Sequence, residues 1–329
     1  MKLPRRKFLH LAAGAAALPT VSRVARGQAY PARPINIVVP FPPGGGTDTV
    51  ARIIAEPMRA SLGRPVIIEN VGGANGSIGV GRVARAAPDG YTLSFGQWGT
   101  HVANGVAYKL EYDLVRDFEP ISLIANTAFI IVGRKGIPAN DLNGLIAWLK
   151  ANPGKATGGN AGVGSMEHVS GLLFQNSSGT SFQSVPYRGT APAMQDLVAG
   201  QIDMEIEGAL VAIPQIRAGA VKAFAVTARS RLAAAPDIVT VDEAGLPGFY
   251  VSVWDGLFAP KGTPKDVIVK LNAAVSQASA DANVLRRLAD LGREIFPREQ
   301  QTPEGLAAFQ RAEIEKWWPI LKAAGIKGE

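Results

Sequence analysis

The fold is decided by the stretch Ile35–Ile54, which reads INIVVPFPPGGGTDTVARII. Its apolar start, Ile35 to Val39, has the composition of a buried strand. A loop of prolines and glycines follows, and after Thr47 apolar residues recur at helical spacing. We therefore predict a strand, a tight loop and a helix, whose first turn leaves four backbone N–H groups unpaired at the positive end of the helix dipole. Such a helix start can bind an anion, although the same residues also suit a plain turn with a helix cap.

Strand-like and helix-like segments alternate along the rest of the chain, which predicts an α/β fold with parallel-rich sheets flanked by helices. About ten strands are more than one compact sheet needs, so we expect two lobes. Glycine-rich loops at 41–48, 158–165 and 186–190 each follow a strand and precede a helix. Ligands of such sheets bind beyond the carboxyl ends of the strands, so these loops are expected to face one cleft and to bind carboxylates mostly through backbone groups.

The charge of the chain lies mainly in its first residues. The net charge is +7, from 34 basic and 27 acidic residues, but positions 1–29 hold six basic residues and no acid. Without them, 28 basic residues face 27 acidic ones, a net charge of +1. The composition of the rest of the chain therefore gives no argument for binding nucleic acid or an anionic membrane.

The first residues have the pattern of an export signal. Arg5 and Arg6 form a twin-arginine pair, and a short apolar region and Pro19 follow. The small residues around Ala29 suit a signal peptidase, so we expect a twin-arginine signal peptide over residues 1–29, cleaved near Ala29, and a soluble protein in the bacterial periplasm. The alternative is an amphipathic N-terminal helix.

Composition and motifs exclude several chemistries and favour none that is catalytic. The chain has no cysteine, which excludes thiol catalysis, disulfides and Cys-based metal sites. Its three histidines form no spaced pair, so we predict no metal site. The glycines of 44–46 lack the Lys-Ser/Thr continuation of a phosphate loop, and the G-x-G-x-x-A match at 79–84 lacks the strand and acidic residue of a dinucleotide site. We therefore expect no cofactor.

One hydrolase-like constellation needs an explanation. Ser165 and His168 lie close together in the sequence, but the glycines of a nucleophile elbow are absent around Ser165. Ser165 is better interpreted as the N-cap of a helix. A periplasmic Ser/His hydrolase stays an alternative hypothesis at this point, and binding without catalysis is the leading one.

The order of the remaining motifs resembles one known family, the Bug-type solute-binding proteins of tripartite tricarboxylate transporters. The similarity covers essentially all of residues 30–329, and no single motif decides it. The motifs that carry it are PFPPGG at 40–45 with Asp48, PDGYTL at 88–93, DFEPI at 117–121, YRGTAPA at 187–193, DLVAGQID at 196–203, EAGLPG at 243–248 and GLFAP at 256–260.

The resemblance implies a two-lobed fold of the periplasmic-binding-protein kind (type II-like), with the ligand in a cleft between lobes joined by two crossing strands. We place lobe 1 at 30–125 plus 226–329 and lobe 2 at 126–225. It further implies a monomeric receptor, not an enzyme, that delivers a small organic acid or amino acid to a large and a small integral-membrane subunit. A protein that serves a periplasmic sensor instead is an alternative in the same fold.

The candidate ligand-binding residues come from these loops and from the resemblance. Glu207 matches a position that is often acidic in the family. Glu205 and Asp255 depart from the family pattern, and they disfavour a polyanion if they face the cleft. The full candidate set is Phe41, Gly45, Gly46, Thr47, Asp48, Gln97, Trp98, Thr100, Gly164, Ser165, His168, Arg188, Gly189, Thr190, Glu207 and Trp254.

Overall fold

The predicted strand–loop–helix unit is present in the computed structural model, which describes residues 30–162, 164–187 and 189–327. Strand β1 spans Ile35–Val39 and helix α1 spans Gly46–Leu62. Helix α1 buries one face, on which Val50 and Met58 are fully buried, and each such side chain contributes about 1.5–3 kcal/mol by leaving water. The proposed signal peptide lies outside the described residues, and so does Arg188.

The other elements follow one another in the predicted alternation of strands and helices. In chain order they are β2 (Val66–Asn70), α2 (Ser77–Ala84), β3 (Thr92–Gln97), α3 (Asn104–Ala107), β4 (Phe118–Arg134), α4 (Leu142–Ala151), β5 (Thr157–Asn160), α5 (Met166–Ser178), β6 (Gln183–Pro186), α6 (Thr190–Ala199), β7 (Met204–Gly208), α7 (Ala209–Arg217), β8 (Val221–Val226), β9 (Ser252–Pro260), α8 (Lys265–Ser279), α9 (Ala282–Asp290), β10 (Arg293–Ile295) and α10 (Pro303–Ala323). Short helical turns at Ala74–Gly76, Gly99–Ala103 and Arg298–Gln300 complete the set.

Two groups of parallel strands form the outer parts of the sheet. Strand β1 pairs in parallel with β2 and β3, and β5 pairs in parallel with β6 and β7. The strand order is β2-β1-β3-β9-β4-β7-β5-β6. The pairings in the middle, which involve β9 and β4, are antiparallel. The predicted α/β fold with parallel-rich sheets is therefore confirmed, and the long antiparallel strands join its two halves.

The strand β4 connects the two halves of the fold. Its first part, Phe118–Ala128, pairs with β9, and β10 pairs with residues 125–127. Its last part, from Phe129 onwards, pairs with β7 and β8. The partners of β4 therefore change between Ala128 and Phe129, and the lobe boundary near residue 125 stays a prediction.

The irregular segment 227–251 follows the second lobe boundary that was predicted near residue 226. In the irregular segment 227–251, Val251 N–H donates to the carbonyl of Thr227 at 3.2 Å. The ring of Phe249 packs edge-on against Phe174 of α5, with centroids 5.6 Å apart. The ring contact brings Phe249 of this segment against α5, and the second boundary stays a prediction.

Candidate functional site

A cavity of about 300 Å³ with a mixed polar and apolar lining lies between the two lobes. Its walls come from the start of α1, the turns at Ala74–Gly76 and Gly99–Ala103, the end of β3, the middle of β4, the end of β7, the start of β9, the starts of α5, α6 and α7, and β10. The lining residues are Gly46, Thr47, Asn75, Gln97, Trp98, Gly99, Thr127, Phe129, Gly164, Ser165, Met166, Glu167, Thr190, Glu207, Gly208, Leu210, Val211, Val253 and Arg293. This is the cleft that the carboxyl ends of the parallel strands were expected to form.

The loop before α1 is held in place by Asp48, which is itself only 2% exposed. Its Oδ2 accepts hydrogen bonds from Gly44 N–H at 2.8 Å and from Arg52 Nε at 2.9 Å, and its Oδ1 accepts one from Asn70 at 2.9 Å. Burial raises the pKa of Asp48, but these hydrogen bonds outweigh it and hold the pKa below its ordinary value. Asp48 therefore fixes the loop from behind, and the first residues of α1, Gly46 and Thr47, line the cavity.

The start of α5 forms part of the facing wall. Ser165 Oγ accepts a hydrogen bond from His168 N–H at 3.1 Å, which confirms that Ser165 is the N-cap of this helix. The ring of His168 points back into the same turn, where its Nδ1 accepts from Gly164 N–H at 3.2 Å. Gly164 and Ser165 line the cavity, whereas His168 lines a small neighbouring void. The side chains of Ser165 and His168 therefore both accept hydrogen bonds from backbone N–H groups at the start of α5.

The residue that sequence reasoning missed is Arg293, the first residue of β10. Arg293 Nη1 donates to Asp255 Oδ2 at 2.8 Å, and the two side chains are 7% and 0% exposed. Burial raises the pKa of Asp255 to about 6, although the Arg293 charge acts to lower it. Arg293 lines the cavity, and its Nε has no hydrogen-bond partner among the described residues. A Cβ on Gly46 would lie 2.6 Å from Arg293 Nη2, so the guanidinium lies against the start of α1.

An acidic group stands on the lobe 2 side. Glu207 and Glu167 line the cavity, and Glu205 lies two residues before Glu207 on the same face of β7. Burial and the charges of Glu167 and Asp196 raise the pKa of Glu205 to about 8. Burial, followed by Glu167 and Glu205, raises the pKa of Glu207 well above its ordinary value. Neither carboxylate oxygen of Glu205 has a hydrogen-bond partner in the described part of the chain.

The end of β3 supplies the remaining polar wall. Gln97 lines the cavity, and its Oε1 accepts from Gly99 N–H at 2.7 Å. Trp98 also lines the cavity, while its ring packs edge-on against Trp317 with centroids 5.4 Å apart. Thr100 is fully buried and caps this turn by donating to the carbonyl of Gln97 at 3.1 Å.

The candidate residues divide into two groups. Those that line the cavity are Gly46, Thr47, Gln97, Trp98, Gly164, Ser165, Thr190 and Glu207. Those outside its lining are Phe41, Gly45, Asp48, Thr100, His168, Gly189 and Trp254. Of the second group, Phe41 packs on the lobe 1 core and Trp254 is fully buried. Arg188 lies outside the described residues.

No motif in the sequence indicates Arg293, since it follows Gly292 in an ordinary stretch of charged and apolar residues. The only available signal was indirect. Asp255 lies in the apolar strand SVWDGLFAP, and a carboxylate buried there needs a cation as its partner. The partner, Arg293, is 38 residues away, and the sequence does not indicate which basic residue pairs with Asp255.

The described residues contain no group of three or more His, Cys, Asp or Glu placed to bind a metal ion. Nor do they contain a helix long and apolar enough to cross a membrane. Two α/β lobes around a polar cleft, with the cleft built from helix N-termini, are the architecture of periplasmic solute-binding proteins, whose lobes close around a ligand.

Comparison with known proteins identifies the family. Residues 50–326 match the family described as "Tripartite tricarboxylate transporter family receptor". The chain belongs to this family of periplasmic binding proteins, and the resemblance drawn from the motifs is confirmed.

Three solved structures share the fold. The periplasmic binding protein BugD is 40% identical with a TM-score of 0.77, and the match covers 91% of this chain and all of BugD. MatC from Rhodopseudomonas palustris, solved with bound malate, is 42% identical with a TM-score of 0.77, over 89% of this chain and 100% of MatC. A second Rhodopseudomonas palustris protein, solved with adipate, is 32% identical with a TM-score of 0.80, over 90% of this chain and 98% of that protein.

Proposed function

We propose that this protein captures a small carboxylate in the cleft between its lobes and delivers it to a tripartite tricarboxylate-type transporter. Membership of the receptor family supports the transport role. The malate and adipate in the structures of two similar proteins support the ligand class. Capture requires no chemistry, because a ligand that binds the closed form more tightly than the open one stabilises closure by that difference alone.

The observation that carries the proposal is the convergence of positive groups on one cavity. The N-terminal residues of α1 and α5, at Gly46 and Met166, line it from opposite lobes, and their unpaired N–H groups attract an anion. Arg293 lines the same cavity beside Gly46, and its Nε has no hydrogen-bond partner among the described residues. A carboxylate bound beside Arg293 would accept charge-assisted hydrogen bonds from its guanidinium and from the start of α1.

The partners follow from the family. The closed, loaded protein would dock on the large and small membrane subunits of the transporter, as a monomer in the periplasm. The twin-arginine sequence at Arg5 and Arg6 and the cleavage position near Ala29 support export. Uptake of a labelled ligand into proteoliposomes that contain a large and a small membrane subunit of this transporter type tests this part, since uptake must depend on the added receptor.

Binding without catalysis is the proposed activity. The hydroxyl of Ser165 accepts the His168 N–H of its own helix turn, and the His168 ring accepts from Gly164 N–H. A nucleophile needs its base within hydrogen-bond reach and correctly oriented, and these bonds instead cap a helix.

Isothermal titration of the protein purified from the periplasm, with malate, adipate and other small acids, tests the ligand class. At least one carboxylate should bind and raise the thermal midpoint by linkage. The double variant Arg293→Gln/Asp255→Asn removes both buried charges together, so it should fold and bind that carboxylate at least about tenfold more weakly. If neutral or cationic compounds bind and no acid does, the proposal is wrong.

A further inference from the structure

The lobe 2 wall of the cavity carries carboxylates that no described cation neutralises. Glu207 is 2% exposed, and its Oε1 accepts from Gly208 N–H at 2.7 Å. Within the described ranges, every ion pair found joins other residues, so Glu167, Glu205 and Glu207 form none. Buried carboxylates of this kind are costly without a cation, unless they hold a proton.

The opposite wall of the cavity carries a positive charge, which is an independent observation. The side chain of Arg293 is more than nine-tenths buried, lines the cavity and leaves its Nε without a partner in the described chain. Asp255 takes one donor nitrogen of this guanidinium, and the start of α1 lies beside another. A negative group of the ligand therefore has a prepared position on this wall.

The strand β4 fixes the spacing between the two walls. Arg293 pairs with Thr127 of β4, and Glu207 pairs with Ile130 of the same strand. Three residues of strand correspond to roughly 10 Å of backbone, and Thr127 itself and Phe129, which lies between the two positions, also line the cavity. The cavity thus has a positive end and a negative end, with part of its floor made by β4.

We infer that the ligand is an amino acid or another small amino-carboxylate, held by its carboxylate at Arg293 and the start of α1 and by its ammonium at Glu207. This rests on the proposed function, since it specifies the ligand class of the same cavity. A second carboxylate in place of the ammonium would lie beside Glu207 and Glu167, would be repelled by their ionised forms and would therefore require them to stay protonated. An amine without a carboxylate would leave Arg293 and the helix N-termini without an anion.

The release of a proton on binding is a second property expected of this ligand class. In the empty protein, burial and the neighbouring carboxylates favour the protonated form of Glu207 and raise its pKa. An ammonium beside Glu207 favours the ionised form, so its binding must release a proton and strengthen as the pH rises. An extra carboxylate beside Glu207 must do the opposite and take up a proton. The charges that act on Glu207 are those of Glu167 on α5 and of Glu205 on its own strand, and Asp196 acts on Glu205. Arg293, paired with Asp255, lines the opposite wall of the cavity, and Arg188 lies outside the described residues.

The test compares ligands that differ only in the amine. Succinate, malate and aspartate share one carbon chain and carry hydrogen, hydroxyl and ammonium at the same carbon, and adipate with 2-aminoadipate and hexanoate with 6-aminohexanoate form two further pairs. Titration calorimetry in two buffers of different ionisation enthalpy gives both affinity and proton release. In at least one set the amino member should bind at least about tenfold more tightly and release a proton.

A matched pair of variants then locates the effect. Glu207→Gln should reduce the preference for the amino member at least about tenfold and abolish its proton release. Glu294→Gln, one residue beyond Arg293 and outside the cavity lining, should keep both. Thermal unfolding of each variant checks that it folds, and Glu207→Asp, which keeps the charge, should recover part of the preference.

The outcomes separate this inference from the proposed function. If amine-free acids bind as tightly as amino acids, or binding takes up a proton, or Glu207→Gln weakens both members equally, the inference is overturned and the carboxylate receptor stands. If no acid binds, with or without an amine, both are overturned.

Discussion

Arg293 and Asp255 form a buried ion pair whose guanidinium also lines the cleft. They lie 38 residues apart in the sequence, and Arg293 Nη1 is 2.8 Å from Asp255 Oδ2. Such a pair is costly to break from one side, because the remaining charge stays buried without a partner. The same pair holds the guanidinium against Gly46, so it links the stability of lobe 1 to the shape of the cavity.

Removing one partner of this pair should therefore destabilise the protein strongly. Asp255→Asn is expected to lower the free energy of unfolding by about 3–5 kcal/mol, measured by urea unfolding at pH 7. Glu111→Gln breaks the exposed pair between Arg85 and Glu111 and should change it by about 0–1 kcal/mol. Similar losses in the two variants would contradict a structural role for the buried pair.

The contact between Gly46 and Arg293 should be visible in binding. In Gly46→Ala the new Cβ would lie 2.6 Å from Arg293 Nη2, so the guanidinium, which Asp255 holds, must move. Affinity for the carboxylate ligand should fall about tenfold or more, and straining the buried ion pair should also lower the free energy of unfolding.

The neighbouring glycine provides the control for that change. In Gly45→Ala the Cβ would meet only the Pro42 carbonyl at 3.6 Å, an ordinary contact. Calorimetry should find nearly unchanged affinity for this variant. Equal effects at the two positions would mean that the loop needs glycine for another reason.

The helix cap at Ser165 should separate stability from function. Ser165→Ala removes the acceptor of His168 N–H and should cost about 1 kcal/mol of stability. Thr302→Ala removes a similar cap, which accepts from Gly305 N–H at 2.9 Å and lies outside the cleft lining.

Both cap variants should lose similar stability in urea unfolding, but only Ser165→Ala should also weaken ligand binding. A hydrolytic activity that disappears in Ser165→Ala would instead revive the Ser/His hydrolase hypothesis.

Glu205 should make the stability of the protein depend on pH. Burial, followed by the charges of Glu167 and Asp196, raises its pKa from 4.5 to about 8 in the folded state. Between these values the folded state keeps a proton that the unfolded state has released, so the free energy of unfolding falls as the pH rises.

Glu205→Gln cannot lose this proton. It should therefore be more stable than the unaltered protein at pH 8, by about 1–3 kcal/mol, and similar to it near pH 4. Urea unfolding across this range measures the difference, and the exposed Glu315→Gln serves as the control. A constant difference between pH 4 and pH 8 would show that Glu205 is not the group that titrates.

Local patterns predicted much of the fold because they depend on neighbours in the chain. The strand Ile35–Val39, the loop after it and the helix from Gly46 follow from apolar spacing and glycines alone. The helix cap at Ser165 was predicted for the same reason. The order of motifs predicted the family correctly, because these motifs are distributed over the whole chain.

The details of the cleft depended on contacts between distant segments. Asp48 and Thr100 are of residue types that often bind ligands. In this fold, however, their side chains hydrogen-bond to nearby backbone groups and hold loops in place. Trp254 lies in the core because the alternation of β9 turns it inward. No local pattern distinguishes a polar side chain that holds a loop from one that faces a ligand.

The sequence by itself therefore determined a two-lobed α/β receptor with glycine-rich loops at helix starts, and the family to which it belongs. It also singled out Glu205, Glu207 and Asp255 as acidic residues relevant to the ligand. Only the tertiary structure decided that Arg293 joins Asp255 at the cavity, that Glu207 lines it and that Glu205 lies behind. The physical reason is that backbone conformation is set by near neighbours, whereas the charge that a buried group meets is set by strands that the fold brings together. The positive and the negative end of the cleft follow from the pairing of β10 and β7 with β4.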